Sequence, residues 1–309
     1  MKKRRHHYVW RNYLKPWATN KKIWCYREGK VFNPNVMGIG QKRDFYKLNE
    51  LTDKDIFIIN KYIIEPSDSH LHESSKTWLE LFSWVHKVKN SLSERDNKNI
   101  NSYINDLIHN FEENIHEKIE SNGRKYLDSI LKEDLSFFET KNGCVNFSHF
   151  LSVQLLRTER VKSKIIHGMN IMENKNPEFR AEIIWNVISH IFATNISFNI
   201  YASTISESPF RIILLKNNGN NEFITGDQPV INIYNNPNTF EDPKDTELYY
   251  PVSPKLSILL TKNKYYRKEK RIEISDGQVK YYNRMIVQNS KNQIYASTRE
   301  ALAEEFTAC

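Results

Sequence analysis

Cysteine is scarce in this chain of 309 residues: Cys25, Cys144 and Cys309 are far apart, odd in number and without C-x-x-C spacing. That argues against a disulfide framework or a cysteine-rich zinc module, so the three read as ordinary reduced thiols with no disulfide-linked partner. No apolar run approaches the ~20 residues that span a bilayer. The basic opening MKKRRHHYVW leads into polar and aromatic residues rather than an apolar leader core. A cytoplasmic protein with no membrane partner is expected. Several catalytic signatures are missing too. There is no G-x-S-x-G elbow, no G-x-x-x-x-G-K-[ST] loop and no H-E-x-x-H, and GIGQ at 38–41 is too short for a nucleotide loop. Acyl transfer and P-loop NTP hydrolysis are disfavoured accordingly.

What is present is a foldable, modestly basic composition. At 39% hydrophobic and 12% aromatic residues, the chain has the means for a sizeable core. A net charge of +8 and a pI near 9.1 favour anionic partners, nucleic acid first among them. Basic residues gather at 2–5, at Lys15, Lys21 and Lys22, and in KYYRKEKR at 264–271. The last segment could follow a phosphate backbone with its tyrosines free to stack, or form a solvated hairpin edge.

Periodicity divides the chain in three. A short aromatic helix at 9–17, broken at Pro16, precedes a hairpin at 23–36 that turns at Glu28-Gly29. Thr52 is a candidate N-cap with Asp55 as its capping-box acid, and Glu65 closes that helix before Pro66. Helices follow at 75–92, 99–122, 124–132, 146–168 and 179–194. Strands are expected at 210–215, 222–234, 248–252, 255–261 and 271–275, then a helix at 279–288, a strand at 293–297 and a helix at 299–306. This predicts one large α+β domain over 1–309. Its helical middle, about 52–198, packs against a mostly antiparallel sheet formed from both chain ends, about 20–48 plus 205–297. The early hairpin is expected to join the late strands.

The helix at 146–168 carries the first functional clue. At about 100° per residue, Phe147, Phe150, Thr158, Val161 and Ile165 share one face, with Gln154 in its middle and Arg157 at its edge. Such residues are either bonded to neighbouring polar groups or line a cleft, because leaving them unpaired in a core costs several kcal/mol. EFITGDQP carries the second clue. Gly226 permits a tight turn and Pro229 stiffens its exit, holding Asp227 on rigid support as a general acid, a base or a metal ligand. The alternative is a β-turn in which Asp227 bonds its own backbone. His6 and His7 are adjacent, so one can transfer protons but the two cannot easily share a metal. His70 with His72 reads as solvated linker, and His109 with His116 is two turns apart, too far for a shared site.

Together HHYVWRNYLKPWA, Phe45-Tyr46, QLLRTER and FITGDQPV resemble, in order and spacing, the bacterial family catalogued as domain of unknown function 4238. Trp10 stands where that family usually has Pro, and Gln228 where it usually has Asn. The resemblance selects His7 with Tyr8, Gln154 with Arg157 and Thr158, and Thr225, Gly226, Asp227 and Pro229, and it implies that they converge. From that convergence and the basic charge, a nuclease or related phosphodiesterase is expected, with a bacterial toxin or phage-defence effector as its setting. His7 would be the acid or base, and Asp227 its orienter or the ligand of a divalent ion such as magnesium. Arg157 would neutralise phosphate charge, Gln154 would position water, and Tyr8, Arg11, Thr158 and Thr225 would touch substrate. The alternative is a non-catalytic nucleic-acid-binding or partner-binding protein in which the cluster only fixes the fold. The oligomeric state is left open.

Overall fold

The computed structural model describes residues 2–92, 98–173, 180–237, 239, 241 and 243–306. Cys309 and the expected helix start at Phe179 lie outside the described residues. In chain order the elements are β1 (Arg5–His7), α1 (Arg11–Leu14), β2 (Trp24–Arg27), β3 (Lys30–Phe32), β4 (Gln41–Arg43), α2 (Asp53–Ile59), α3 (His72–Ser91), α4 (Lys98–Leu131), α5 (Lys141–Leu156), α6 (Glu159–Glu173) and α7 (Ala181–Ala202). There follow β5 (Arg211–Asn217), β6 (Thr225–Gly226), β7 (Ile231–Asn232), β8 (Leu248–Pro251), β9 (Leu256–Thr261), β10 (Arg271–Ile274), α8 (Asp276–Asn289), β11 (Ile294–Ala296) and α9 (Arg299–Phe306). The arrangement is α+β, as expected. The capping box forms as read: Thr52 N–H donates to Asp55 Oδ2 at 2.7 Å, and Asp55 N–H donates back to Thr52 Oγ1 at 3.3 Å.

The strands make three sheets rather than one. Five lie in the order β10-β5-β9-β8-β7, antiparallel except for the parallel β10–β5 pair. The early hairpin joins the late strands as expected, in the order β3-β2-β11-β6 with Cys25 opposite Tyr295. β1 and β4 form a separate pair. Alternation explains the apolar runs of β5 and β9. Ile212, Leu214, Ile258 and Leu260 enter a core shared with α5 and the N-terminal aromatics, while Ile213, Leu215 and Leu259 enter one beneath α8. A strand buried on both faces needs no polar side. Buried hydrogen bonds lock the chain start to this sheet: Trp17 Nε1 donates to the Phe223 carbonyl at 2.7 Å, and Tyr13 Oη to the Pro251 carbonyl at 2.8 Å.

The helical middle departs from the expected boundaries in two instructive places. The segment at 146–168 is two helices, because α5 ends at Leu156 with Arg157 as its C-cap, and Thr158 precedes α6, its hydroxyl accepting from Val161 N–H at 3.5 Å. Conversely, 99–122 and 124–132 are one helix, α4, running through Gly123. That glycine is present for packing. A Cβ there would overlap the Phe150 ring of α5. Gly123→Ala should therefore destabilise the fold, since overpacking of about 1–3 kcal/mol outweighs about 1 kcal/mol of gained helix propensity. A urea midpoint that rises in this variant would refute that account.

α7 is long and apolar enough, by length and composition, to cross a membrane, although no uninterrupted apolar run in it reaches that length. Its sequence is interrupted by Asn186, Ser189, His190 and Ser197, and most of its residues are buried among the other helices. It is built as a core helix. Cys25 and Cys144 are buried free thiols.

Candidate functional site

At the end of α5 the backbone turns and delivers Arg157 into the interior, 3% exposed. Its guanidinium is fully engaged: Nε donates to Tyr46 Oη at 3.0 Å, Nη1 to a Glu120 carboxylate oxygen and Nη2 to the His7 carbonyl. Tyr46 is held in turn, its N–H donating to His6 Nδ1 at 2.7 Å and its ring stacking on the His6 imidazole. Three of the segments that carry the family resemblance thus meet at Arg157. The bonded alternative applies to Arg157, which anchors α5, α4 and the chain start to one another. Gln154 is also buried, and its Nε2 has no hydrogen-bond partner.

Outward from this node lies a cleft of about 500 Å³ between the chain start and α4. His7 lines it together with Glu113, Glu117 and Glu120, which face it because they fall three and four residues apart on one helix. Arg11, Lys15, Lys21 and Arg124 stand exposed around the same cleft. Burial, then the Arg11 and Arg157 guanidiniums, push the His7 imidazole down to about 4, so it is neutral at neutral pH, and its Nε2 has no hydrogen-bond partner. Burial lifts Glu120 up to about 7 against the pull of Arg157, and the neighbouring Glu113 and Glu117 charges add to the rise. Glu113 is raised as well, again by burial. The physical cause is plain. One guanidinium cannot compensate two buried carboxylates, so one of them keeps a proton to higher pH.

Asp227 lies elsewhere and is otherwise occupied. Its Oδ1 accepts from Lys291 N–H at 2.7 Å, and its Oδ2 from Asn292 N–H at 2.8 Å and Gln293 N–H at 3.1 Å. Burial pushes its carboxyl up to about 6 while those three donors pull it down. The expected turn onto its own backbone is therefore replaced by a clamp on the loop between α8 and β11. Gly226 is required beside it, because a Cβ there would collide with Ser290. The expected partnership of His7 with Asp227 is not formed. Successive residues of an extended chain point to opposite sides. Tyr8 takes the Asp227 side, its Oη accepting from Gln293 Nε2 at 3.2 Å, and His7 faces α4.

The other expected substrate contacts separate in the same way. Tyr8, Thr158 and Thr225 are buried, with Thr158 Oγ1 donating to Gln228 Oε1 and Thr225 Oγ1 within 2.6 Å of Tyr13 Oη. They hold the fold and do not face the cleft. Gln228, in the place usual for Asn, uses its longer side chain to donate from Nε2 to the Leu155 and Val230 carbonyls at 3.0 and 2.6 Å. Arg11 alone of that group reaches the cleft. Sequence reasoning missed Glu113 and Glu120, for which the signal was present: acids at i and i+7 beside the apolar stripe of α4.

A larger cavity of about 810 Å³ lies between α5, α6, α7 and the five-stranded sheet, walled by Leu155, Ile196 and Phe210. Size alone would favour it. Two of its cations are engaged within the protein, Arg160 with the Pro237 carbonyl and Lys164 with Asn235. The paired acid and base groups lie in the smaller cleft, which is the stronger place for chemistry.

No curated protein and no solved structure matches the chain. The family model described as Protein of unknown function (DUF4238) matches residues 5–300, and the chain belongs to that family.

Proposed function

We propose that this member of the DUF4238 family hydrolyses phosphodiester bonds in the cleft between its N-terminal segment and α4, in a cytoplasmic setting. One observation carries the reading: a neutral His7 and a proton-holding Glu120 line the same cleft, with four cationic side chains around it. In this scheme His7 takes a proton from the attacking water as its oxygen bonds to phosphorus. Glu120 gives a proton to the leaving oxygen as the phosphorus–oxygen bond breaks. Arg11, Lys15, Lys21 and Arg124 supply the charge that a phosphate backbone requires and that stabilises the crowded phosphorane.

The test is cleavage of RNA and of single- and double-stranded DNA by purified protein, with magnesium, manganese or EDTA, beside His7→Ala and Glu120→Gln. Each substitution should lower kcat/KM by about 10²–10⁴-fold. The wild-type rate should follow a bell in pH, falling below about 4 as His7 gains a proton and above about 7 as Glu120 loses one. Salt-sensitive binding without cleavage, unchanged in both variants, would instead assign a nucleic-acid-binding module. Tyr265, 82% exposed within the basic segment at 264–271, is the feature that favours this second reading.

A further inference from the structure

Glu112, His116 and His190 converge in the packed interface between α4 and α7, each at most 2% exposed. Glu112 and His116 stand one turn apart on α4, and α7 supplies His190. Glu112 Oε1 lies 3.6 Å from His116 Nε2 and 3.5 Å from His190 Nε2, and the three ligand atoms lie within 4.8 Å of one another. These separations exceed ordinary N–H···O hydrogen bonds. They are close to the edge of about 3.3 Å expected between neighbouring ligands of a tetrahedral ion with bonds of 2.0–2.1 Å. All four ring nitrogens of the two histidines lack hydrogen-bond partners.

The surroundings have the form of a supported metal site. The other Glu112 oxygen, Oε2, accepts from Asn186 Nδ2, which leaves Oε1 turned toward the imidazoles. Tyr46 packs on His116 with ring centroids 4.4 Å apart, and Trp78 stacks on His190 at 4.7 Å. A carboxylate fixed by a second polar group is how a protein orients a ligand before an ion arrives, and the two ring contacts restrict how the imidazoles can turn. Two nitrogens and one oxygen suit a borderline cation better than magnesium or calcium, which take oxygen sets.

We propose that Glu112, His116 and His190 bind one divalent transition-metal ion, zinc by ligand chemistry, which ties α4 to α7. The site stands on observations separate from the cleft and does not depend on phosphodiester hydrolysis.

The full chain, stripped with chelator and dialysed, would be titrated with zinc while its melting temperature is followed, and with cobalt(II) while its visible spectrum is recorded. The expected result is one equivalent of zinc bound with a rise in melting temperature, and cobalt d–d bands of tetrahedral intensity. His190→Ala and Glu112→Gln should weaken zinc binding at least about 100-fold. Asn186→Leu, a positioning change, should weaken it by about 10–100-fold. If the ligand variants do not fold, the wild-type titrations decide alone: no stoichiometric zinc, no thermal shift and no cobalt bands would overturn the site. Undiminished zinc binding in a folded His190→Ala protein would overturn it as well.

Discussion

Arg157→Met should remove about 3–5 kcal/mol of stability, a fall in melting temperature on the order of 10 °C for a chain of this size. The guanidinium is the one group seen to bond Glu120, Tyr46 and the His7 carbonyl together. Methionine fills much of the volume but leaves a buried carboxylate and a buried carbonyl without their donor. Arg157→Lys should recover little, because a point charge cannot donate in three directions as the planar fork does. The Glu120 side of the pair behaves differently. Its folded value is raised above the unfolded one, so the folded state holds the extra proton and wild-type stability falls as pH rises from about 4.5 through about 7. Glu120→Gln should flatten that limb, by about 3 kcal/mol at most. Urea midpoints of the wild type and the three variants at pH 5 and pH 8 check both statements. A stable Arg157→Met protein would mean that the guanidinium is dispensable to the fold, and would return it to the list of groups reserved for substrate.

Asp227→Ala should be nearly as severe, about 3–5 kcal/mol, because three backbone N–H groups lose an ionisable acceptor in a place that water does not reach. The loss should be local in origin. Amide exchange at Lys291, Asn292 and Gln293 should lose protection before the five-stranded sheet does, since those are the groups the carboxylate holds. Asp227→Asn should be little better, because its Nδ2 would point one donor at others. A variant of normal stability and normal exchange that had lost cleavage would instead place Asp227 in the reaction and would count against its role as a clamp.

The two variants mark where local patterns were sufficient and where they were not. The capping box at Thr52 and Asp55, the hairpin at Glu28-Gly29 and the doubly buried runs of β5 and β9 are all legible in sequence. Each depends on neighbours a few residues away, through backbone dihedrals, hydrogen bonds and side-chain alternation. The segments around His7, Tyr46 and Arg157 could be recognised as belonging together, and they do meet, while the Asp227 segment touches them through Gln228 and Thr158 and leaves Asp227 itself apart. Their roles could not be read. His7 and Tyr8 are adjacent in sequence yet serve different regions, a consequence of which way an extended strand faces when it docks. Gly123 reads as a helix break until the ring of Phe150 is placed against it.

By itself, then, the sequence determined the α+β class, the order of nearly all the elements and the joining of the two chain ends, because hydrophobic period and turn chemistry are local properties. The tertiary structure alone decided which polar groups are spent inside the fold and which face open space. Arg157 and Asp227 are committed to carbonyl, carboxylate and amide partners 37 or more residues away. His7, Glu113 and Glu120 face the cleft, and Glu112 turns the other way toward His116 and His190. Neighbouring positions on α4 thus acquire opposite duties because a helix rotates about 100° per residue. Which element meets each face is set by the packing of the whole chain.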